Sequence, residues 1–193
     1  MFTISNIIFI CWLIFLGYWI INWNAVKPTQ EVAWRQQQGF RWIVGFIVVV
    51  IVLIAHFFLP RHSTNFFTFS SNNSLVLQII GSVLAITGLI IAIIARKTLA
   101  DNWSSNIELK KNHKLITTGV YKYIRHPIYT GVDLMGIGTI IASQSFFVIF
   151  FLICMMLFFV FKMKKEETLL MKHFPKEYPE YKKKTKALIP FIY

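Results

Sequence analysis

Two short polar clusters hold the residue types from which a site could be built: Arg125-His126-Pro127 and Glu166-Glu167. Pro127 disfavours helix at the residue before it and suits the first position of a helix that follows, so Arg125 and His126 are expected at a helix entrance. Donors at the positive end of a helix would attract an anionic group such as a carboxylate. The alternative is a pair of interfacial anchors beneath a membrane span. The glutamates head a segment in which Leu169, Leu170, Phe174, Tyr178 and Tyr181 recur at roughly helical spacing. This suits an amphipathic helix lying on the membrane with its lysines on anionic lipid. Adjacent glutamates oppose that attraction and are better explained by a cation or a hydrogen-bond donor on a ligand. Asp133 raises the same question, because a carboxylate one turn inside an apolar stretch usually faces a cavity or a partner.

The elements that must position these groups follow from composition. Of 193 residues, 56% are hydrophobic and only 15% charged, and the mean hydropathy is +0.59. A soluble domain has about 45–50% apolar and about 25% charged residues, so the chain reads as a membrane protein, and disordered, collagen-like and disulfide-scaffold classes are excluded. Uncharged stretches from Phe2 to Trp23, Trp42 to Leu59 and Leu75 to Ala95 are each long enough to cross a hydrocarbon layer of about 30 Å. Phe2–Trp23 lacks the basic start and the small-residue cleavage site of a signal peptide. The apolar region Ile128–Phe161 is interrupted at Ala142-Ser143-Gln144-Ser145, so it predicts a helical hairpin of two short spans, about Tyr129–Ala142 and Phe146–Phe161. The fold class is therefore an all-α integral membrane protein of about five transmembrane helices, the last two a short hairpin, with a cytoplasmic loop and C-terminal helix forming the site.

The charge excess supports this arrangement. Twenty Lys and Arg against eight Asp and Glu give a formal net charge of +12. In a soluble domain that would suggest nucleic acid, yet with five spans every basic residue but Arg61 falls on one face. The positive-inside rule makes that face cytoplasmic and puts the N-terminus outside, so no nucleic-acid partner is needed. Cys11 and Cys154 lie within apolar spans and read as buried free thiols, and the five histidines form no HxxxH or HExxH pattern, so no metal site is expected. Residues 1–100 would form three N-terminal helices and residues 101–193 the polar core.

The combination of HKLITTGVYKYIRHPIYTG (His113–Gly131) with EETLLMKHFPKEYPEYKKKT (Glu166–Thr185), the upstream NWS at Asn102 and the final IPF resembles the isoprenylcysteine carboxyl methyltransferases, in particular a prokaryotic-type member. The likeness covers Asn102 to Ile192; the first two spans match only in being hydrophobic. It implies an S-adenosylmethionine pocket with cofactor contacts on Asn106, His113, Lys114, Leu115, Ile116, Tyr121, His126, Pro127, Ile128, Tyr129 and Glu166. Asn106 stands where eukaryotic members have Gln. The acceptor would meet Lys162 and Arg125, although Lys162 replaces a family Arg and lacks its bidentate fork.

The residues suit this chemistry. An adenine face packs on Tyr or aliphatic side chains, the cofactor carboxylate needs donors, and its amino group and ribose hydroxyls need acceptors. An acceptor carboxylate is already ionised at neutral pH, so its methylation needs in-line positioning and exclusion of water, with no acid or base residue. The expected function is S-adenosylmethionine-dependent methylation of a lipid-like acceptor such as a C-terminal isoprenylcysteine, with membrane lipids as further partners. The alternatives are methylation of a phospholipid amine or a small thiol, reduction of a sterol-like double bond, or a non-enzymatic lipid-binding protein. A prokaryotic member would be a multi-pass protein of the plasma membrane.

Overall fold

The computed structural model describes residues 5–22, 29–32, 74–103, 108–110 and 114–189. In chain order the elements are α1 (Ser5–Ile21), β1 (Thr29–Val32), α2 (Leu75–Leu99), β2 (Glu108–Lys110), α3 (Pro127–Ser143), α4 (Phe146–His173) and α5 (Glu177–Lys184). Single 3₁₀ turns occupy Ala100–Asn102 and Gly119–Lys122. The second expected span, Trp42–Leu59, lies outside the described residues. Two helical segments, Leu75–Asn102 and Phe146–His173, are long and apolar enough to cross a membrane. Helices α1 and α3 are shorter, 17 residues each, or about 26 Å of helical rise.

Packing between helices in lipid depends on close approach rather than on the hydrophobic effect, and α2 and α3 achieve this through small residues. Gly81 meets Gly138, and Gly88 meets Gly131, so tightly that a Cβ on any of the four would overlap the backbone of the other helix. Ala85 and Ala92 continue the same seam. On the adjoining side, Ile8, Cys11, Trp12 and Phe15 of α1 pack with Ala85, Leu89 and Ala92 of α2 and with Val132 and Met135 of α3. The Trp12 indole N–H finds its partner within this core, donating to Thr139 Oγ1 at 3.2 Å. The outward face of α2, from Leu75 and Val76 through Ile79, Ile80, Val83, Ile86, Ile90 and Ile94, is exposed, as the lipid-facing side of a span should be.

Four features differ from the sequence expectations. Helix α2 runs past Arg96 and Lys97 to Leu99, because cations are favourable near the carbonyl end of a helix. Arg96 is buried, donating to Ala100 O at 2.8 Å and Asn22 O at 3.2 Å, with its guanidinium 4.4 Å from the Trp103 ring. It thereby joins the C-terminal ends of α1 and α2. The fold also contains a two-stranded antiparallel ribbon, with Thr29 opposite Lys110 and Val32 opposite Glu108. Strands this short carry no readable alternation. The last expected span, Phe146–Phe161, and the helix expected in the glutamate segment are not separate: α4 continues without a break from Phe146 through Glu166 and Glu167 to His173. Pro175 bars helix at Phe174 and ends it there. Finally, Cys154 is exposed on α4, whereas Cys11 is buried.

The hairpin turn forms where expected. Gln144 takes the left-handed conformation, φ 51°, and its N–H closes onto Ile140 O at 2.8 Å.

Candidate functional site

Pro127 is the first residue of α3 and His126 its cap, with φ −125° and ψ 57°, the non-helical backbone expected before proline. Arg125 and His126 therefore stand at the entrance of α3. The anionic groups that meet them are the chain's own Glu166 and Glu167, brought back by the antiparallel α4. The helix leaves its apolar segment after Phe161, and five and six residues on it presents both carboxylates to the start of α3.

The two glutamates do different things. Glu167 is buried and met by cations: Arg125 Nε donates to its Oε1 at 2.7 Å, Lys182 Nζ to its Oε2 at 2.6 Å, and His126 Nε2 lies 3.4 Å from Oε1. The expectation that both glutamates await a ligand fails for Glu167, because α5, an element whose approach local sequence does not reveal, delivers Lys182 to it. Glu166 receives the Tyr129 hydroxyl at 2.9 Å, with His126 Nδ1 at 3.7 Å and Lys162 Nζ at 3.8 Å. The Tyr129 ring is stacked between His126 and Phe159, with centroids at 5.6 and 4.4 Å. Lys162 Nζ sits 5.6 Å from the Tyr129 centroid.

A second set of contacts clamps the loop. The segment after α5 runs parallel to residues 123–126: Arg125 N–H donates to Lys186 O at 2.8 Å and His126 N–H to Ala187 O at 3.0 Å. Thr130 Oγ1 donates to Leu188 O at 2.7 Å, and the Tyr181 hydroxyl to Tyr121 O at 2.7 Å. The Arg125 guanidinium also donates to the carbonyls of Thr185 and Lys182. Tyr121 is buried by these contacts, and Gly119, with φ 60°, folds its turn against Thr98 at the end of α2.

Of the residues expected from sequence, Arg125, His126, Pro127, Tyr129, Lys162 and Glu166 lie together at the α3–α4 entrance. Ile128 is half-buried on the first turn of α3, and Tyr121 lies beneath the tail. Lys114 is exposed, with its backbone N–H on Asn102 Oδ1 at 3.3 Å, and Leu115 and Ile116 are half-buried. Asn106 and His113 lie outside the described residues. Sequence reasoning passed over Lys182, Thr185 and Leu188, which act through a long-range pairing, and Tyr178, whose three-residue spacing from Tyr181 was a signal without an address.

Burial works to raise the Glu167 carboxyl, but the hydrogen bonds from His126, Lys182 and Arg125 outweigh it and hold the group well below the usual carboxylate range. A depressed native value stabilises the fold above the unfolded value of about 4.5, and the stabilisation fades as pH falls below it. The midpoint of thermal unfolding in detergent should therefore hold steady from pH 8 to 5 and fall below about 4.5. Glu167→Gln should flatten this acid limb, and an unchanged limb in that variant would assign the sensitivity elsewhere.

Two apolar helices long enough to cross a membrane, a small-residue seam between α2 and α3, and a polar cluster where the α3 entrance meets the polar end of α4 describe an integral-membrane protein with a candidate site at the end of its spans. The model of the isoprenylcysteine carboxyl methyltransferase family matches residues 79–172. The protein-S-isoprenylcysteine O-methyltransferase of Saccharomyces cerevisiae is 30% identical over 183 residues, which cover 92% of this chain and 75% of that protein. The Xenopus laevis protein of the same name is 31% identical over 119 residues, 60% of this chain and 41% of its own length. A solved structure of the eukaryotic intramembrane Ras methyltransferase has a TM-score of 0.60 and 27% identity, over 77% of this chain and 53% of that one. The chain belongs to the isoprenylcysteine carboxyl methyltransferase family.

Proposed function

We propose that the cluster at the α3–α4 entrance binds S-adenosylmethionine and that the chain uses it to methylate the carboxylate of an isoprenylcysteine. Methyl transfer to isoprenylcysteine is the activity of its family. The observation that carries the cofactor assignment is the division between the glutamates. Each Glu167 oxygen is met by a cation of this chain, while Glu166 takes one short hydrogen bond from Tyr129 and, as a carboxylate with about four acceptor sites, keeps capacity for a ligand amino group or hydroxyl. The Tyr178 hydroxyl is a complementary feature, being fully buried and without a hydrogen-bond partner among the described residues.

S-adenosylmethionine supplies an electrophilic methyl group on a cationic sulfur. His126, Tyr129 and Glu166, with Tyr121, Pro127 and Ile128 beside them, would hold it. Lys114, Leu115 and Ile116 would close the loop side, and the family resemblance adds Asn106 and His113 as cofactor contacts. The chain's residues orient the acceptor and exclude water, and the acceptor needs no general base. Arg125, expected on the acceptor, is committed to Glu167 and to tail carbonyls, so holding the acceptor carboxylate falls to Lys162. A prenyl chain would stay among the helices and lipid. The basic loops and tail support a cytoplasmic site and an outside N-terminus. The neighbouring C-terminal ends of α1 and α2 support the same five-span orientation.

Calorimetric titration with S-adenosylhomocysteine tests the assignment. Saturable binding is expected, weakened roughly tenfold to a hundredfold by Glu166→Ala and by His126→Ala, and less by Lys162→Ala. The reverse order would reject this division of roles, and absence of binding by folded protein would reject the function.

A further inference from the structure

Asp133 is left over from this account. It is 7% exposed, and its Oδ1 is fully buried with no hydrogen-bond partner among the described residues. A carboxyl in that condition inside a membrane helix is unfavourable unless something supplies the missing contact.

Its place on α3 says which side that contact comes from. Residues four and three apart share a helix face. Asp133 is four beyond Tyr129, which stacks on Phe159 and donates to Glu166, and three before Gly136, which lies against Leu152 and Met155. Asp133 therefore belongs to the stripe facing α4. Along that stretch, from Val148 to Phe161, α4 offers only Val, Ile, Phe, Leu, Met and Cys side chains, and Cys154 is exposed. Ile137, one turn further on, is 37% exposed, so the stripe borders the lipid-facing side. The carboxyl thus lies between the Tyr129–Glu166 pair and the lipid, about 6 Å deeper than Tyr129 by helical rise.

The geometry points to Asp133 as a specificity-determining residue that accepts a hydrogen bond from the amide N–H of the acceptor's cysteine. This rests on the isoprenylcysteine reading. A prenylated cysteine at the end of a chain carries one neutral donor next to its carboxylate, the peptide N–H, while its thioether and prenyl chain are apolar. A group entering from the lipid side with its carboxylate at the Tyr129–Lys162 level would hold that N–H on the membrane side of the carboxylate, within hydrogen-bond reach of the deeper Asp133. A phospholipid or a simple prenylthio acid has no such donor there.

Two acceptors decide the matter: an N-acyl-S-prenylcysteine and the same molecule with its amide N–H replaced by CH₂. The native protein in lipid nanodiscs should favour the amide by roughly tenfold to a hundredfold in kcat/KM, the worth of one hydrogen bond to a buried carboxyl. Asp133→Leu should bring the two acceptors to within about threefold by raising KM for the amide alone. Asp133→Asn, which keeps an acceptor oxygen, should retain most of the preference, a rescue that a packing role would not require. Binding of S-adenosylhomocysteine confirms folding; if the leucine variant fails that check, Asp133→Ala is read in its place. A native protein that methylates both acceptors equally, or a folded Leu or Ala variant that keeps the preference, overturns the inference and leaves the isoprenylcysteine reading standing. Methylation of neither acceptor by protein that binds S-adenosylhomocysteine overturns that reading and this inference with it.

Discussion

Glu167→Ala is expected to be among the most damaging single substitutions in the polar half of the protein. It leaves Arg125, whose side chain is 9% exposed, without its carboxylate partner and removes the anchor of Lys182 on α5. Breaking a buried pair by deleting one member costs about 3–5 kcal/mol, because the surviving charge stays buried and unpaired. The same loss should loosen the parallel pairing of residues 185–188 with residues 123–126, since Arg125 holds that segment through side chain and backbone together. Thermal unfolding in detergent should show a large drop in midpoint, and limited proteolysis should cut between α5 and the C-terminus faster than in the native protein. S-adenosylhomocysteine binding should weaken as well, because His126 is fixed through the same network. Glu180→Ala is the control: its partner Lys183 is 72% exposed in its side chain, and exposed pairs contribute little. Equal behaviour of the two variants would mean that the Glu167 cluster does not hold the tail.

Gly131→Leu should be comparably severe for a different reason. A Cβ at this position would lie 2.5 Å from Gly88 O and 2.9 Å from both Ala92 N and Ala92 Cβ, so backbone rather than a flexible side-chain tip blocks it. The helices must separate, and the reciprocal Gly81–Gly138 contact on the same seam is lost with them. Small residues are what permit such approach in lipid; the expected cost is about 3 kcal/mol or more, at the upper end for overpacking. Because α3 carries His126 and Tyr129, the shift should also weaken cofactor-analogue binding. Gly17→Ala separates this from a general intolerance of change: nothing lies within 4 Å of a Cβ there, so the gain in helix propensity should leave stability unchanged or slightly raised. A Gly131→Leu protein with native stability and binding would remove the seam from the account.

The local parts of this architecture were legible in the chain. Pro127 marked the start of α3, the Ala142–Ser145 cluster its end, and long uncharged runs the helices α1, α2 and α4. Each signal acts within a few residues, through proline sterics, polar backbone exposure in a turn, or the length needed to cross lipid. The end expected for the last span, Phe161, falls inside a longer helix for a similar reason. The switch from apolar to charged residues at Lys162 changes the solvent around the helix and leaves its hydrogen bonding intact, so α4 runs on until Pro175.

The site divides along the same line. Sequence by itself determined the membrane class, the residue types at the α3 entrance and the presence of two carboxylates on the returning helix, because these depend on composition and on spacing along one chain. Only the tertiary structure decided which glutamate is held by Arg125 and Lys182 of its own chain and which faces Tyr129. Glu166 and Glu167 are chemically identical neighbours, and the 100° between them around the helix turns one toward Tyr129 and the other toward Arg125 and Lys182. That choice depends on the rotation of α4 against α3 and on the docking of α5, which arise from packing between segments about 40 to 60 residues apart and leave no local trace.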